Sequence, residues 1–238
     1  MEKIRDIGFQ YFEIWSWWDK DVDALLNALK KNQIELAACC THFIPLVLPE
    51  KRKEYIDGLE ATVKTCRKLS CNMIISQVGN EVPGKDRNVQ KESIIAGLKE
   101  ASVILERNNI TLVVEPLNTL YDHQGYFLSR SDEAAEIIGK VSSANVKMLF
   151  DIYHQQISEG NVINNIQRYI QYIGHFHMAD VPGRHEPGTG EINYKNIFRR
   201  IEELAYHGHV GIELFPSDKN NHYGILKEIK DSFRERKR

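Results

Sequence analysis

The sequence predicts an α/β fold, a (β/α)8 TIM barrel that lacks its first strand. Three observations carry that expectation. Short apolar runs begin at intervals of 25, 38, 38, 36, 27 and 37 residues, each the length of a strand, its return helix and two loops. The stretches between them repeat apolar residues at helical spacing. The runs themselves are nearly continuous in hydrophobicity, as strands are when helices cover both faces of a parallel sheet. No glycine-rich dinucleotide fingerprint follows any of the runs, which favours a closed barrel over a doubly wound sheet.

In chain order, residues 4–8 read as the tail of a helix leading into a strand at 9–15. A helix over 21–31 carries Val22, Leu25, Leu26 and Leu29 on one stripe and leads to a strand at 34–40. The helix over 51–69 carries Tyr55, Ile56, Leu59 and Val63, ahead of a strand at 72–78. Residues 92–107 gather Ile94, Ile95, Leu98, Ala101, Ile104 and Leu105, ahead of a strand at 110–117. Ser131 is placed to cap a helix over 132–141, since its hydroxyl can accept from the first helical amides. Strands at 146–153, 173–179 and 210–215 complete the set, and Asn193 stands ahead of a helix over 197–205. That makes seven strands where a closed barrel has eight, so the missing stave is either left open or filled by another element.

The 238 residues suit one domain, 1–238, without a Pro/Gly/Ser-rich linker. A net charge of −2 lacks the basic excess of a nucleic-acid binder. No apolar run reaches the roughly 18 residues of a membrane span, and the N-terminus lacks the apolar stretch of a secretory signal. Cys39, Cys40, Cys66 and Cys71 are too sparse for a secreted disulfide scaffold, so a reducing cytoplasm is expected. Cys39 and Cys40 are adjacent, so one side chain of the two faces the core, and Cys66 and Cys71 have no second pair with which to make a metal site.

In a barrel the C-terminal ends of the strands converge on one mouth, where chemistry is assembled. Four strands carry an ionisable group there: Glu115, Asp151, His177 and Glu213, spaced by 36, 26 and 36 residues. Each spacing is about one βα repeat, so the four groups stand level. Three carboxylates and an imidazole resist burial together unless something positive lies between them. One divalent ion, Mn²⁺, Mg²⁺, Co²⁺ or Zn²⁺, suits a set of carboxylate oxygens with one imidazole nitrogen. Trp15, Trp17, Trp18 and Phe43 follow two early strands, where they could wall a small-substrate pocket or cover a contact between copies of the chain. His42 reads as an ordinary loop histidine.

The same residues carry a family resemblance. Residues 173–194, from His175-Phe176-His177-Met178-Ala179-Asp180 through Pro187-Gly188-Thr189-Gly190-Glu191, resemble the signature of hydroxypyruvate isomerase and its close relatives. So do Val114-Glu115-Pro116-Leu117-Asn118 with Gly125-Tyr126-Phe127-Leu128, and Asp151-Ile152-Tyr153-His154-Gln155-Gln156 with Glu159-Gly160. These belong to the wider xylose-isomerase-like barrel superfamily, with sugar 3-epimerases, inosose dehydratases and abasic-site endonucleases. The resemblance runs from about Gly8 to the end. It implies a divalent metal on Glu115, Asp151, His177 and Glu213, the two glutamates as acid/base pair, and His154 and Arg184 on substrate oxygens. Two features depart from the pattern. His177 stands where hydroxypyruvate isomerases often have Gln and sugar epimerases usually have His, and the first strand is missing.

Interconverting a hydroxyaldehyde and a hydroxyketone moves a proton between adjacent carbons through an enediolate. A metal acts there as Lewis acid and template, and carboxylates move the proton. The expected function is therefore a metal-dependent isomerase of the hydroxypyruvate/tartronate semialdehyde type, acting on a small molecule. A ketose 3-epimerase or inosose dehydratase on the same site is the alternative. An abasic-site endonuclease would need three metals and further ligands, yet Gln77 stands where a His would be wanted. An inactive binding protein would carry a destabilising carboxylate cluster for no purpose.

Overall fold

The computed structural model describes residues 1–234. Seven parallel strands form one sheet in chain order: β1 (Tyr11–Ile14), β2 (Glu35–Cys40), β3 (Met73–Ser76), β4 (Thr111–Val114), β5 (Val146–Asp151), β6 (Ile173–Met178) and β7 (Val210–Ile212). The sheet curls into a nearly closed barrel. Among the described residues no strand bridges β1 and β7, so a seam runs between them. Tyr11 of β1 and His209, just ahead of β7, meet across it with ring centroids 4.1 Å apart.

Helices lie before, between and after the strands: α1 (Glu2–Ile7), α2 (Val22–Asn32), α3 (Arg52–Leu69), α4 (Arg87–Asn108), α5 (Ser131–Val141), α6 (Ile152–Ser158), α7 (Val162–Tyr169), α8 (Tyr194–Glu203) and α9 (His222–Arg234). None of them is long and apolar enough to cross a membrane. Local chemistry sets their starts. The Asp21 carboxylate accepts from the amides of Asp23 and Ala24, both at 3.0 Å, and opens α2. Asp86 does the same for α4 through Asn88 N, which begins that helix five residues before the sequence pattern suggests. Asn193 caps α8 by accepting from Asn196 N at 3.1 Å. Ser131 is not a cap. It is the first helical residue of α5, and its hydroxyl donates to Glu159 Oε1 at 2.5 Å.

Two apolar layers hold the barrel. The larger lies between sheet and helices and includes Leu59, Ile74, Leu98, Leu112, Phe150 and Phe176, all fully buried. The smaller plugs the barrel interior with Ala38, Cys40, Ile75, Val113 and Leu149. Adjacent strand residues point to opposite faces, so Cys39 joins the outer layer and Cys40 the inner one. Above the inner plug, at the C-terminal ends of the strands, the interior turns polar.

Candidate active site

Most of the apolar runs extend past the hydrogen-bonded strands by one to three residues, and the ionisable groups sit at or just beyond the strand ends. Glu115 directly follows β4, Asp151 is the last residue of β5, His177 lies on β6, and Glu213 directly follows β7. Asp151 also ends its strand, because its side chain accepts from Tyr153 N at 2.8 Å and starts α6. Residues 152 and 153 are therefore helical rather than the tail of a strand. One ligand atom from each of Glu115, Asp151, His177 and Glu213 falls within 4.8 Å of the others.

The two glutamates have opposite surroundings. Glu115 is 5% exposed, and its Oε1 is buried with no hydrogen-bond partner. Its Oε2 accepts only a 3.3 Å contact from Gln77 Nε2. Burial, reinforced by the charge of Glu213, pushes its carboxyl up to about 8. Burial also acts to raise the Glu213 carboxyl, but the hydrogen bond and charge of His177 and the charge of Arg184 outweigh it and hold the group down at about 2. Glu213 Oε2 takes Arg184 Nη2 at 2.6 Å and lies 3.1 Å from His177 Nδ1, while Oε1 accepts from the Trp15 indole at 2.8 Å.

The Arg184 guanidinium also donates to Asp151 Oδ2 at 3.3 Å, and its Nε is buried without a partner. It does not pair with Glu186, which instead accepts from Ser217. Arg184 has a left-handed backbone (φ 57°), uncommon for a side chain of this size. That turn is held from outside: Phe215 N donates to Arg184 O at 2.8 Å and His185 Nδ1 to Phe215 O at 2.6 Å. The loop carrying Arg184 is thereby tied to the segment carrying Glu213. Asp180 anchors the rest of the loop by accepting from the amides of Val181, Gly188 and Ile192.

His154 is fully buried on α6, and burial lowers its pKa to about 4, so it is neutral. Its Nδ1 accepts from Asn118 Nδ2 at 2.7 Å and from Asn118 N at 3.3 Å. The ring proton is thus on Nε2, which is 3.6 Å from Asp151 Oδ2 and has no hydrogen-bond partner. That leaves a donor beside the cluster. His42, by contrast, stacks on Trp18 with centroids 4.3 Å apart and touches none of these groups.

The sequence matches the xylose isomerase-like TIM barrel family over residues 1–235. The chain belongs to that family. Within it, a putative hydroxypyruvate isomerase of Danio rerio is 36% identical over 229 residues, covering 91% of this chain and 83% of the relative. A hydroxypyruvate isomerase of Escherichia coli K12 is 32% identical over 226 residues, covering 90% and 86%. A crystal structure titled as an AP endonuclease, family 2, from Brucella melitensis superposes with a TM-score of 0.88 at 28% identity, covering 93% of this chain and 88% of that one.

Two further members of the cluster are not marked by an ionisable group at the end of a late strand. Glu13 lies in the middle of β1 and reaches His175 Nε2 with Oε1 at 3.0 Å and His177 Nε2 with Oε2 at 2.9 Å. Its signal in the sequence is a lone acidic residue within an aromatic strand. His175 stands two residues before His177 and so on the same inward face. Trp15, read only as a mouth aromatic, bonds Glu213 directly.

Proposed function

We propose that this isomerase interconverts a small hydroxyaldehyde and hydroxyketone, of the hydroxypyruvate/tartronate semialdehyde type, by moving a proton between adjacent carbons. The observation that carries the reading is the convergence of Glu115, Asp151, His177 and Glu213, with Glu115 Oε1 buried and unpartnered in the middle of it. Such an oxygen is costly unless a cation meets it, and the donor set of three carboxylates and an imidazole fits a divalent metal. When bound there, the ion would act as a Lewis acid that stabilises negative charge growing on the substrate oxygens.

The remaining work belongs to side chains. Glu115, just past β4, and Glu213, just past β7, form the acid/base pair. One glutamate that lifts a proton from one carbon and returns it to the next produces isomerisation. Arg184 and Trp15 fix Glu213, so its carboxylate is aimed before substrate arrives. Arg184 Nε and His154 Nε2 are the donors left for substrate oxygens, and an arginine there favours a substrate that carries a carboxylate. The names of the 32–36% identical relatives support the same choice.

A second reading, a ketose 3-epimerase, is favoured by His177 itself, since the family resemblance places His there in sugar epimerases. In that case the second glutamate returns the proton on the opposite face of the same carbon. Purified protein supplied with Mn²⁺ and assayed on hydroxypyruvate, ketohexoses and inososes separates the readings. Turnover of hydroxypyruvate is expected. Turnover of a ketohexose alone would transfer the site to the epimerase.

A further inference from the structure

We infer that Glu13 is the positioning residue for His177: reaching across the seam from β1, it fixes the imidazole so that Nδ1 faces the carboxylate cluster. The inference rests on reading that cluster as a cation site, and it adds a residue outside the four ligands. On β1, Phe12 and Ile14 pack into the outer apolar layer, so Glu13 between them points into the barrel. Its two oxygens are divided between two imidazoles on β6, Oε1 to His175 Nε2 at 3.0 Å and Oε2 to His177 Nε2 at 2.9 Å. His175 and His177 are both buried, and their rings lie edge to face with centroids 5.0 Å apart.

The partnership decides which nitrogen of His177 is presented. A carboxylate only accepts, so the proton on Nε2 is committed to Glu13. Nδ1 is the nitrogen turned toward the site, 3.1 Å from Glu213 Oε2 and 4.0 Å from Glu115 Oε1; in the metal-free chain its proton is given to Glu213, and a cation would take that proton's place. His175 Nδ1 is buried without a partner, as fits a ring whose single proton is on Nε2 and given to Glu13. His175 thus holds Glu13 as Glu13 holds His177. Carboxylates placed behind a metal-binding histidine commonly act this way, and their loss typically weakens metal affinity ten- to a hundredfold.

The backbone makes room for this contact. β1 does not pair with β6, since β7 is the strand beside β6, and Gly211 of β7 stands opposite His177. A Cβ at Gly211 would lie 2.7 Å from Glu13 Oε1 and 2.7 Å from His177 Cδ2. The bare glycine is the passage through which the carboxylate reaches the ring.

The test compares Glu13→Gln, Gly211→Ala and Glu115→Gln with the parent chain. Co²⁺ affinity is read from the d–d absorption of the protein, and the His177 tautomer from long-range ¹⁵N–¹H spectra of the Zn²⁺-loaded protein. Glu13→Gln keeps one acceptor oxygen and turns the other into a donor NH2, so it no longer presents an acceptor oxygen to each ring. It should weaken Co²⁺ binding ten- to a hundredfold and change the His177 ¹⁵N pattern, with the circular dichroism of the parent. Gly211→Ala should do the same with the carboxylate still present, and it serves alone if Glu13→Gln fails to fold. Parental affinity and tautomer in either folded variant overturn the positioning role. If Glu115→Gln also leaves Co²⁺ affinity untouched, the cation site itself falls. If Glu115→Gln abolishes binding while Glu13→Gln is silent, only the positioning role falls.

Discussion

Glu115 and Asp151 stand at the ends of β4 and β5, in the middle of the sheet, where flanking strands and helices bury them. Glu213 stands beyond β7, at the edge, where Val210, Gly211 and Ile212 are all only partly buried. The centre encloses both carboxylates and leaves Glu115 Oε1 without a partner. The edge holds its carboxylate by side chains reaching in from just past β1, from β6 and from the loop after β6. The proposed acid/base pair therefore has one member whose environment raises its pKa and one whose environment lowers it, a separation typical of acid/base sites. The open seam is also where the protein substitutes side chains for a strand: Tyr11 and Glu13 on β1 and Trp15 just past it each bridge to the far side.

The largest expected effect is on turnover. Glu213→Gln should lower kcat by about 10³-fold or more, given the 10²–10⁴ typical of a lost acid/base group together with a lost cation ligand, with the fold intact by circular dichroism. Glu115→Gln should lose turnover as severely but differ in stability. An amide relieves the burial that raises the Glu115 carboxyl, so the metal-free variant should melt above the parent at alkaline pH. Equal melting temperatures would show that centre and edge do not differ as described.

Stability gives the next contrast. Phe150 is fully buried and meets Phe176 edge-on with centroids 5.9 Å apart, so Phe150→Ala should cost about 3–5 kcal/mol. Ile212 on the edge strand is partly exposed, so Ile212→Ala should cost about half that or less. Urea unfolding of the two variants measures both. A larger loss at Ile212 would mean that the edge is as tightly packed as the centre.

Much of this was legible in the sequence because burial leaves a pattern. Seven strands follow from seven β-branched apolar runs, and the level placement of Glu115, Asp151, His177 and Glu213 follows from the repeat length. The strand ends were not legible, because the apolar run of 146–153 continues through Ile152 and Tyr153 into α6 and only the Asp151 side chain marks the change. Helices α6, α7 and α9 were not anticipated; α6 and α7 are short, and helices of that length depend on tertiary packing for their stability. Ser131 looked like a cap because the residue type suits one, but Glu159, 28 positions later, claims its hydroxyl. Glu13 stayed hidden for a related reason: its partners lie 162 and 164 positions away, and no local spacing points to them.

The pH response of the metal-free protein tests the raised Glu115 carboxyl. Its folded-state value of about 8 lies above the ordinary carboxylate range, so between about pH 4.5 and 8 the folded chain holds a proton that the unfolded chain has released. Stability from this group is therefore full below that window and is lost as pH rises through it. A cation must displace the same proton, so divalent-metal affinity should climb more steeply with pH below about pH 8 than above it. Calorimetric titration with Mn²⁺ in buffers of different ionisation enthalpy reads the proton released. Affinity that is flat from pH 6 to 8 would remove the asymmetry between the two glutamates.

The smallest effect is expected at Trp15, which is 60% exposed yet donates its indole N–H to Glu213 Oε1 at 2.8 Å. Trp15→Phe keeps an aromatic ring at the mouth and removes only that donor. Glu213 retains Arg184 and His177 on its other oxygen, so the lost hydrogen bond to a charged group should amount to about 1.5–3 kcal/mol at most, and less at so exposed a position. A fall in kcat of about three- to tenfold with KM little changed is the outcome expected if the indole aims the carboxylate. A rise in KM with kcat unchanged would instead place Trp15 against the substrate. The edge of the sheet would then be a wall of the pocket rather than the support of its base.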